Sequence, residues 1–188
     1  VMRTYERRVT AVVLLSGGLD SAVLAYQLAA HDIPTIAMTL RYGQRHEREV
    51  EAAIKIASLL GIQHQIVDLS ATGLPLLANN ALTGDKGIPH DHWESPSQKD
   101  TVVPNRNMIL ISLATALAIQ TRSTRLYFAC HEGDAAIYND CRPAFCQKIG
   151  RAMLLADDWE VRLHFPFITM TKREVVELGV KLGVPFDE

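Results

Sequence analysis

Short runs that are apolar on both sides alternate with segments of helical periodicity along this chain. Val12, Val13, Leu14 and Leu15 form the first such run, the pattern of a strand buried on both faces of a parallel sheet. The run stops at Ser16-Gly17-Gly18, and a helical pattern resumes after Asp20 through Ala22, Val23, Ala25, Tyr26 and Leu28. Residues 34–40 read as a second strand, followed by a helix over about residues 45–60. Val50, Ala53, Ile54, Ala57 and Leu60 recur at helical spacing as its buried stripe, with Glu47, Glu49 and Glu51 near its N-terminus, where the dipole favours acids. Gly61 ends this helix and residues 63–69 make a third strand, so the first half is β-α-β-α-β with right-handed crossovers.

The pattern dissolves over residues 70–103, which are rich in Gly, Pro, His and acidic residues and too long for a plain connection. Such a segment reads as a lid or binding loop, with a short helix near residues 74–79; a disordered insertion has the same composition, although Trp93 argues for order. Pro104 suits a helix start, and residues 108–120 are apolar almost all the way round, predicting a helix set deep against the sheet. Residues 126–130 are strand four, 131–142 a polar loop, and 143–155 a helix with Phe145, Ile149, Met153 and Leu154 as its apolar side. Residues 161–165 are strand five. Residues 171–182 form a last helix with Thr171 and Glu174 spaced as a capping box and Gly183 at its end. The expected fold is an α/β, doubly wound, Rossmann-like parallel sheet of five strands. Strand four returns beside strand one, giving the order 3-2-1-4-5 and a topological switch point at residues 16–21.

The 188 residues suit one domain, and 48% apolar with 21% charged content is ordinary for a globular chain. A net charge of −2 gives no basic field, so no nucleic-acid partner is expected. Residues 108–119 are shorter than the roughly twenty needed to span a bilayer, and no signal-peptide pattern opens the chain, so no membrane partner and a cytoplasmic setting are expected. Cys130, Cys141 and Cys146, without a Cys-x-x-Cys pair, read as buried thiols in a reducing compartment.

The candidate chemistry begins at the first turn. Gly17 and Gly18 carry no side chain to hold a ligand off the backbone, and the unpaired N–H groups of the helix starting at Leu19 point into the loop. Ser16 and Ser21 add hydroxyl donors, and Asp20 can hold Mg²⁺ or cap the helix; a Gly-rich turn with Asp20 and Ser21 as plain caps is the alternative. No Gly-Lys-Ser/Thr is present, so this is not a Walker A loop. Tyr42, Gln44 and Arg45 lie in a turn at the carboxyl end of strand two, either ligand-facing or a solvated turn around Gly43, and His46 beside them is as well read as a surface residue. Arg106 and Asn107 bring a guanidinium fork and an amide to a helix start, suited to a carboxylate or phosphate; a capped helix with an ordinary exposed Arg is the alternative. Asp134, Tyr138, Asp140 and Arg142 cluster after strand four and could read a flat heterocycle; a solvated polar loop is the bland reading. Lys172 can reach a phosphate as a mobile charge, though surface lysine is the commoner fate. His90 and His92 lack further ligands at metal spacing.

Ser-Gly-Gly-Leu-Asp-Ser resembles the PP-loop of the N-type ATP pyrophosphatases, adenine nucleotide alpha hydrolase-like enzymes that cleave ATP between its α and β phosphates. Together AVVLLSGGLDS, LRYGQRHEREV, TVVPNRNMILIS, YNDCRPAF and TKREVVELGVKLGVPF resemble the 7-cyano-7-deazaguanine synthase (QueC) family in order across nearly the whole chain. The resemblance implies a single PP-loop domain over residues 1–188 and ATP-dependent conversion of 7-carboxy-7-deazaguanine and ammonia to the nitrile through acyl and imidoyl adenylates. It also implies Mg²⁺ and a homodimer. By the same resemblance ATP is held by Leu15, Ser16, Gly17, Gly18, Leu19, Asp20, Ser21, Ala22, Val23, Leu24, Ala25, Met38 and Leu40, the adenine lying at Leu15, Met38 and Leu40. Tyr42, Gln44, Arg45, Arg106, Asn107, Asp134, Tyr138, Asp140 and Arg142 face the deazapurine, and Ser16, Asp20, Ser21, Arg106 and Lys172 act in catalysis. Zn²⁺ is expected from a family four-cysteine segment beyond the last helix, whose ligands are not in this chain. Asn139, Glu132 and Ala135 depart from the family pattern in the substrate loop, leaving the product open between nitrile and amide. Two alternatives carry other features: a PP-loop amide-forming or tRNA-thiolating ligase, the latter needing reactive cysteines and a basic face, and an ATP-binding sensor without pyrophosphate release.

Overall fold

The structure, a computed structural model, describes residues 9–41, 47–69 and 105–186. Strands β1 (Ala11–Leu14), β2 (Thr35–Arg41), β3 (Gln63–Asp68), β4 (Arg125–Tyr127) and β5 (Arg162–His164) form one parallel sheet in the order β3-β2-β1-β4-β5. Helices α1 (Leu19–Ala30), α2 (Glu47–Leu59), α3 (Arg106–Gln120), α4 (Glu132–Ile137), α5 (Pro143–Leu154) and α6 (Lys172–Leu182) complete it, with a 3₁₀ turn at Asn139–Cys141. Among the described residues no helix is long and apolar enough to cross a membrane.

Successive β1 side chains enter opposite layers, because a strand alternates faces with period two. Val12 and Leu14, with Ile36, Met38, Leu40 and Leu126, pack against Ile111, Ala114 and Ala118 of α3 and Cys146, Ile149 and Met153 of α5. Val13 and Leu15, with Ala37, pack against Val23, Leu24 and Leu28 of α1, Ala53, Ile56 and Ala57 of α2, and Phe167 and Val175. Covered on both faces, β1 must be apolar throughout, and all four of its residues are buried.

Several boundaries differ from the sequence expectation. β4 ends at Tyr127 rather than residue 130; Phe128 N–H still bonds the His164 carbonyl at 2.9 Å before the chain leaves the sheet. Residues 131–142 are not a loop but α4 and the 3₁₀ turn, started by a His131–Asp134 capping box. On α2 the buried position is Ile56, while Ile54 is 45% exposed. On α5 Cys146 is buried and Leu154 only half-buried. α3 is buried on one side only, Met108 being 41% exposed. The Thr171–Glu174 capping box is present on α6, with Gly183 left-handed at φ 72. Residues 70–103, with the helix near 74–79, Trp93, His90 and His92, lie outside the described residues, as does Pro104.

α6 lies close on α1 through Gly179, whose added Cβ would stand 2.7 Å from Val23 Cγ2 and 2.4 Å from the Phe186 ring. Because Val23 is wholly buried, it cannot give way. Gly179→Ala is expected to lower unfolding stability by about 1–3 kcal/mol through overpacking, read as a lower urea midpoint at unchanged m.

Candidate active site

The site lies where β1 hands the chain to α1, between the carboxyl ends of β1 and β4. Gly17 adopts φ +87, and a Cβ there would fall 1.9 Å from the Glu49 carbonyl oxygen, so the loop packs directly on the backbone of α2. The two serines brace the turn. Ser21 Oγ donates to the Gly18 carbonyl at 2.9 Å and accepts from Ser16 N–H at 3.2 Å. Its proton being committed, the 3.0 Å contact between hydroxyls has Ser16 Oγ donating, while Gly18 N–H donates to Ser16 Oγ at 3.2 Å. Below the turn, the Leu15 carbonyl accepts from Thr39 Oγ1, which stands 2.7 Å from His64 Nε2, and burial lowers the pKa of that imidazole.

A cavity of about 270 Å³ opens over this loop. Its lining includes Leu15, Ser16, Gly18, Asp20, Ser21, Met38, Leu40, Arg106, Asn107, Asp134 and Tyr138, all singled out in the sequence. The lining combines apolar Leu14, Leu15, Met38, Leu40, Leu110 and Phe128 with polar groups from the loop, α3 and α4. Glu49, Leu14, Leu110, Phe128, Ala129 and Cys141 also line it and were missed; the signal for Phe128 and Ala129 was their place just past strand four, at the switch point.

Other candidates stand elsewhere. Ala22, Val23, Leu24 and Ala25 are buried beneath the loop in the α1 layer, where Leu19 packs at the edge. Gly17 faces α2 rather than the cavity. Asp140 accepts from Asn107 N–H at 3.0 Å and so holds the start of α3. Arg142 is exposed and donates through Nε to the Ala135 carbonyl at 3.1 Å. Tyr42, Gln44, Arg45 and His46 lie outside the described residues.

Asp20 is the charged centre. Lys172 Nζ donates to both its oxygens, at 2.7 and 2.8 Å, across 152 positions of sequence. His131 Nε2 lies 3.9 Å from Asp20 and 3.5 Å from Asp134, and these three residues are the one metal-type cluster among the described residues. Hard carboxylate oxygens suit Mg²⁺. The imidazole does not, because His131 Nδ1 accepts from Gly133 N–H at 3.0 Å, which leaves the ring proton on Nε2. Arg106 stands over the Tyr138 ring, 6.0 Å from its centroid.

None of the three thiols is exposed. Cys141 Sγ accepts from Asn107 Nδ2 at 3.2 Å, and burial, reinforced by the Asp134 and Asp140 carboxylates, pushes its pKa up to about 12. Cys130 and Cys146 stand 4.0 Å apart; their hydrogen bond and burial push the Cys130 thiol up.

Comparison with known proteins gives the family and the fold. A family model described as "Queuosine biosynthesis protein QueC" matches residues 10–188. The chain is 42% identical over 178 residues to the 7-cyano-7-deazaguanine synthase of Archaeoglobus fulgidus, covering 94% of this chain and 74% of that protein. It is 40% identical to the synthase of Hahella chejuensis, covering 95% of this chain and 77% of that protein. Among solved structures, an NH3-dependent NAD synthetase from Campylobacter jejuni superposes with a TM-score of 0.58 at 14% identity, over 97% of this chain and 68% of that one. An NMN synthetase from Francisella tularensis gives 0.55 at 21% identity, over 96% and 64%. These two likenesses show the fold.

The raised Cys141 value carries a signed pH dependence. A thiol that ionises less readily folded than unfolded stabilises the fold below its ordinary value of 9.0, and that contribution is lost as pH rises toward about 12. Cys141→Ala should therefore flatten the fall in urea midpoint above pH 9.0, and native Cys141 should resist iodoacetamide at pH 8 while the unfolded chain reacts.

Proposed function

The chain belongs to the QueC family of queuosine biosynthesis proteins, and on that footing we propose that its synthase chemistry occupies the 270 Å³ cavity over residues 16–21. The activity is ATP-dependent C–N ligation that converts 7-carboxy-7-deazaguanine and ammonia to 7-cyano-7-deazaguanine. One observation carries the placement: the phosphate loop and the polar ends of α3 and α4 face each other across a single cavity.

A carboxylate is a poor electrophile, so its oxygen attacks the α-phosphorus of ATP, expelling pyrophosphate and leaving an acyl adenylate. Ammonia adds at the carbonyl carbon, AMP leaves with the bonding pair, and a proton is lost to give the amide. The amide oxygen then attacks the α-phosphorus of a second ATP, expelling a second pyrophosphate and leaving an imidoyl adenylate. Loss of AMP and of the remaining N–H protons closes the carbon–nitrogen triple bond. Each round expels a pyrophosphate from its own ATP and develops negative charge on the same kind of leaving group, so one loop serves both.

In this reading the first-turn N–H groups of α1 bind pyrophosphate, joined by the Ser16 hydroxyl once it turns from Ser21, with Lys172 moving from Asp20 toward it. Leu15, Met38 and Leu40 pack the adenine. Arg106 offers its guanidinium to the reacting carboxylate, and Asn107, Asp134 and Tyr138 orient the deazapurine. Asp140 acts through Asn107. Asp20 and Asp134 would hold Mg²⁺, which neutralises phosphate charge when bound. A homodimer, a cytoplasmic setting and free ammonia as nitrogen source belong to the same proposal.

The test is mass spectrometry of the product formed from ATP, ammonium and 7-carboxy-7-deazaguanine, since acid, amide and nitrile differ in mass. Nitrile with AMP and pyrophosphate is expected; ADP, or unchanged acid, overturns the reading. Asp20→Ala is expected to abolish substrate-dependent pyrophosphate release with the circular dichroism spectrum unchanged. Arg106→Ala should slow adenylation by roughly tenfold or more, the size of a lost charge-assisted contact of about 1.5–3 kcal/mol.

A further inference from the structure

His131 does two things with one ring. Its Nδ1 accepts from Gly133 N–H at 3.0 Å and its backbone N–H donates to Asp134 Oδ2 at 3.0 Å, closing the capping box that starts α4. That cap commits the ring proton to Nε2, and Nε2 faces the carboxylates of Asp20 on α1 and Asp134 on α4, at 3.9 and 3.5 Å. At these separations it acts on them as an oriented dipole rather than through short hydrogen bonds. The ring is buried, so the field it exerts is only weakly screened by water.

The surroundings hold the ring in this pose. A Cβ at position 133 would stand 2.8 Å from His131 Cε1, so glycine there is what lets the imidazole fold back over its own helix. Glu132 N–H donates to the Met170 carbonyl at 3.0 Å, tying the start of α4 to the segment that delivers Lys172 to Asp20. The charged end of the phosphate loop is thus enclosed by Lys172 on one side and the His131 N–H on the other.

We infer that His131 is a positioning residue for the nucleotide half of the cavity. Its Nε2–H offsets the mutual repulsion of Asp20 and Asp134 and fixes where the Asp20 carboxylate sits when a polyphosphate enters. The inference rests on the reading above in that the loop is taken as the phosphate site.

Two substitutions separate the bridge from the cap. In His131→Asn the amide oxygen stands near the place of Nδ1 and keeps the cap, but nothing reaches Asp20. In His131→Gln the amide nitrogen stands near the place of Nε2 and keeps the donor, while the cap is lost. Calorimetric binding of α,β-methylene-ATP with Mg²⁺ is the probe, alongside thermal melting. H131N is expected to melt close to wild type yet bind the nucleotide about tenfold more weakly, and H131Q to melt lower yet bind within about threefold of wild type. Wild-type affinity in H131N, or affinity that follows melting temperature across both variants, overturns the inference. If the wild-type protein binds the nucleotide but leaves 7-carboxy-7-deazaguanine unchanged, the functional reading fails while the His131 comparison still stands.

Discussion

The arrangement depends on one close approach, the bare backbone of Gly17 against the first turns of α2. With φ at +87 and the Glu49 carbonyl where a Cβ would be, position 17 admits no side chain on two independent grounds. Any larger residue must push α2 outward. That would strip Ala53, Ile56 and Ala57 from the layer they share with Val13, Leu15 and Ala37. The geometry that lets amides reach a phosphate is therefore the same geometry that packs α2 on the sheet.

The loop is also closed on itself. The Ser21 hydroxyl is spent on Gly18 and Ser16, and the Leu15 carbonyl on Thr39. What remains to meet a ligand is the first-turn N–H groups of α1 and Asp20, since the Ser16 hydroxyl is itself donated to Ser21 and accepts from Gly18 N–H. The last helix completes the site from the far end of the sequence: the Thr171–Glu174 capping box fixes where α6 begins, and its first residue, Lys172, lands on Asp20. On the proposed reading, a polyphosphate entering here would compete for that ammonium and take the place of Asp20 as its partner.

Sheet order and the glycine turn between β1 and α1 were legible because each rests on a local rule. Runs apolar on both faces mark parallel strands, and the reversal of strand order falls where Ser-Gly-Gly interrupts the first of them. What escaped was set by tertiary structure. Ile54 and Ile56 both fit a helical stripe beside Val50 and Ala53, and only packing against the sheet selects Ile56. α4 is six residues long with none of them buried, so it has no apolar stripe to read. Its N-cap is a histidine, outside the usual Ser, Thr, Asp and Asn, leaving Asp134 at the third helical position as the sole local sign. Lys172 and Asp20, 152 positions apart, carry no sequence signal of their contact.

Cysteine chemistry separates the two ligase readings. A sulfur-transferring enzyme needs a thiolate that can leave the wall and attack, which calls for an exposed group with a depressed pKa. Cys141 is the one thiol among the described residues on the cavity wall; it accepts a hydrogen bond from Asn107, and its burial, with the Asp134 and Asp140 carboxylates adding to it, holds its pKa up at about 12. Its sulfur serves to hold the Asn107 amide, while Asp140 holds the Asn107 backbone from the same 3₁₀ turn. The two contacts fix the start of α3, and with it the backbone from which Arg106 reaches the cavity. Residues 139–141 thus hold the start of α3 and so place the Arg106 guanidinium on the cavity wall.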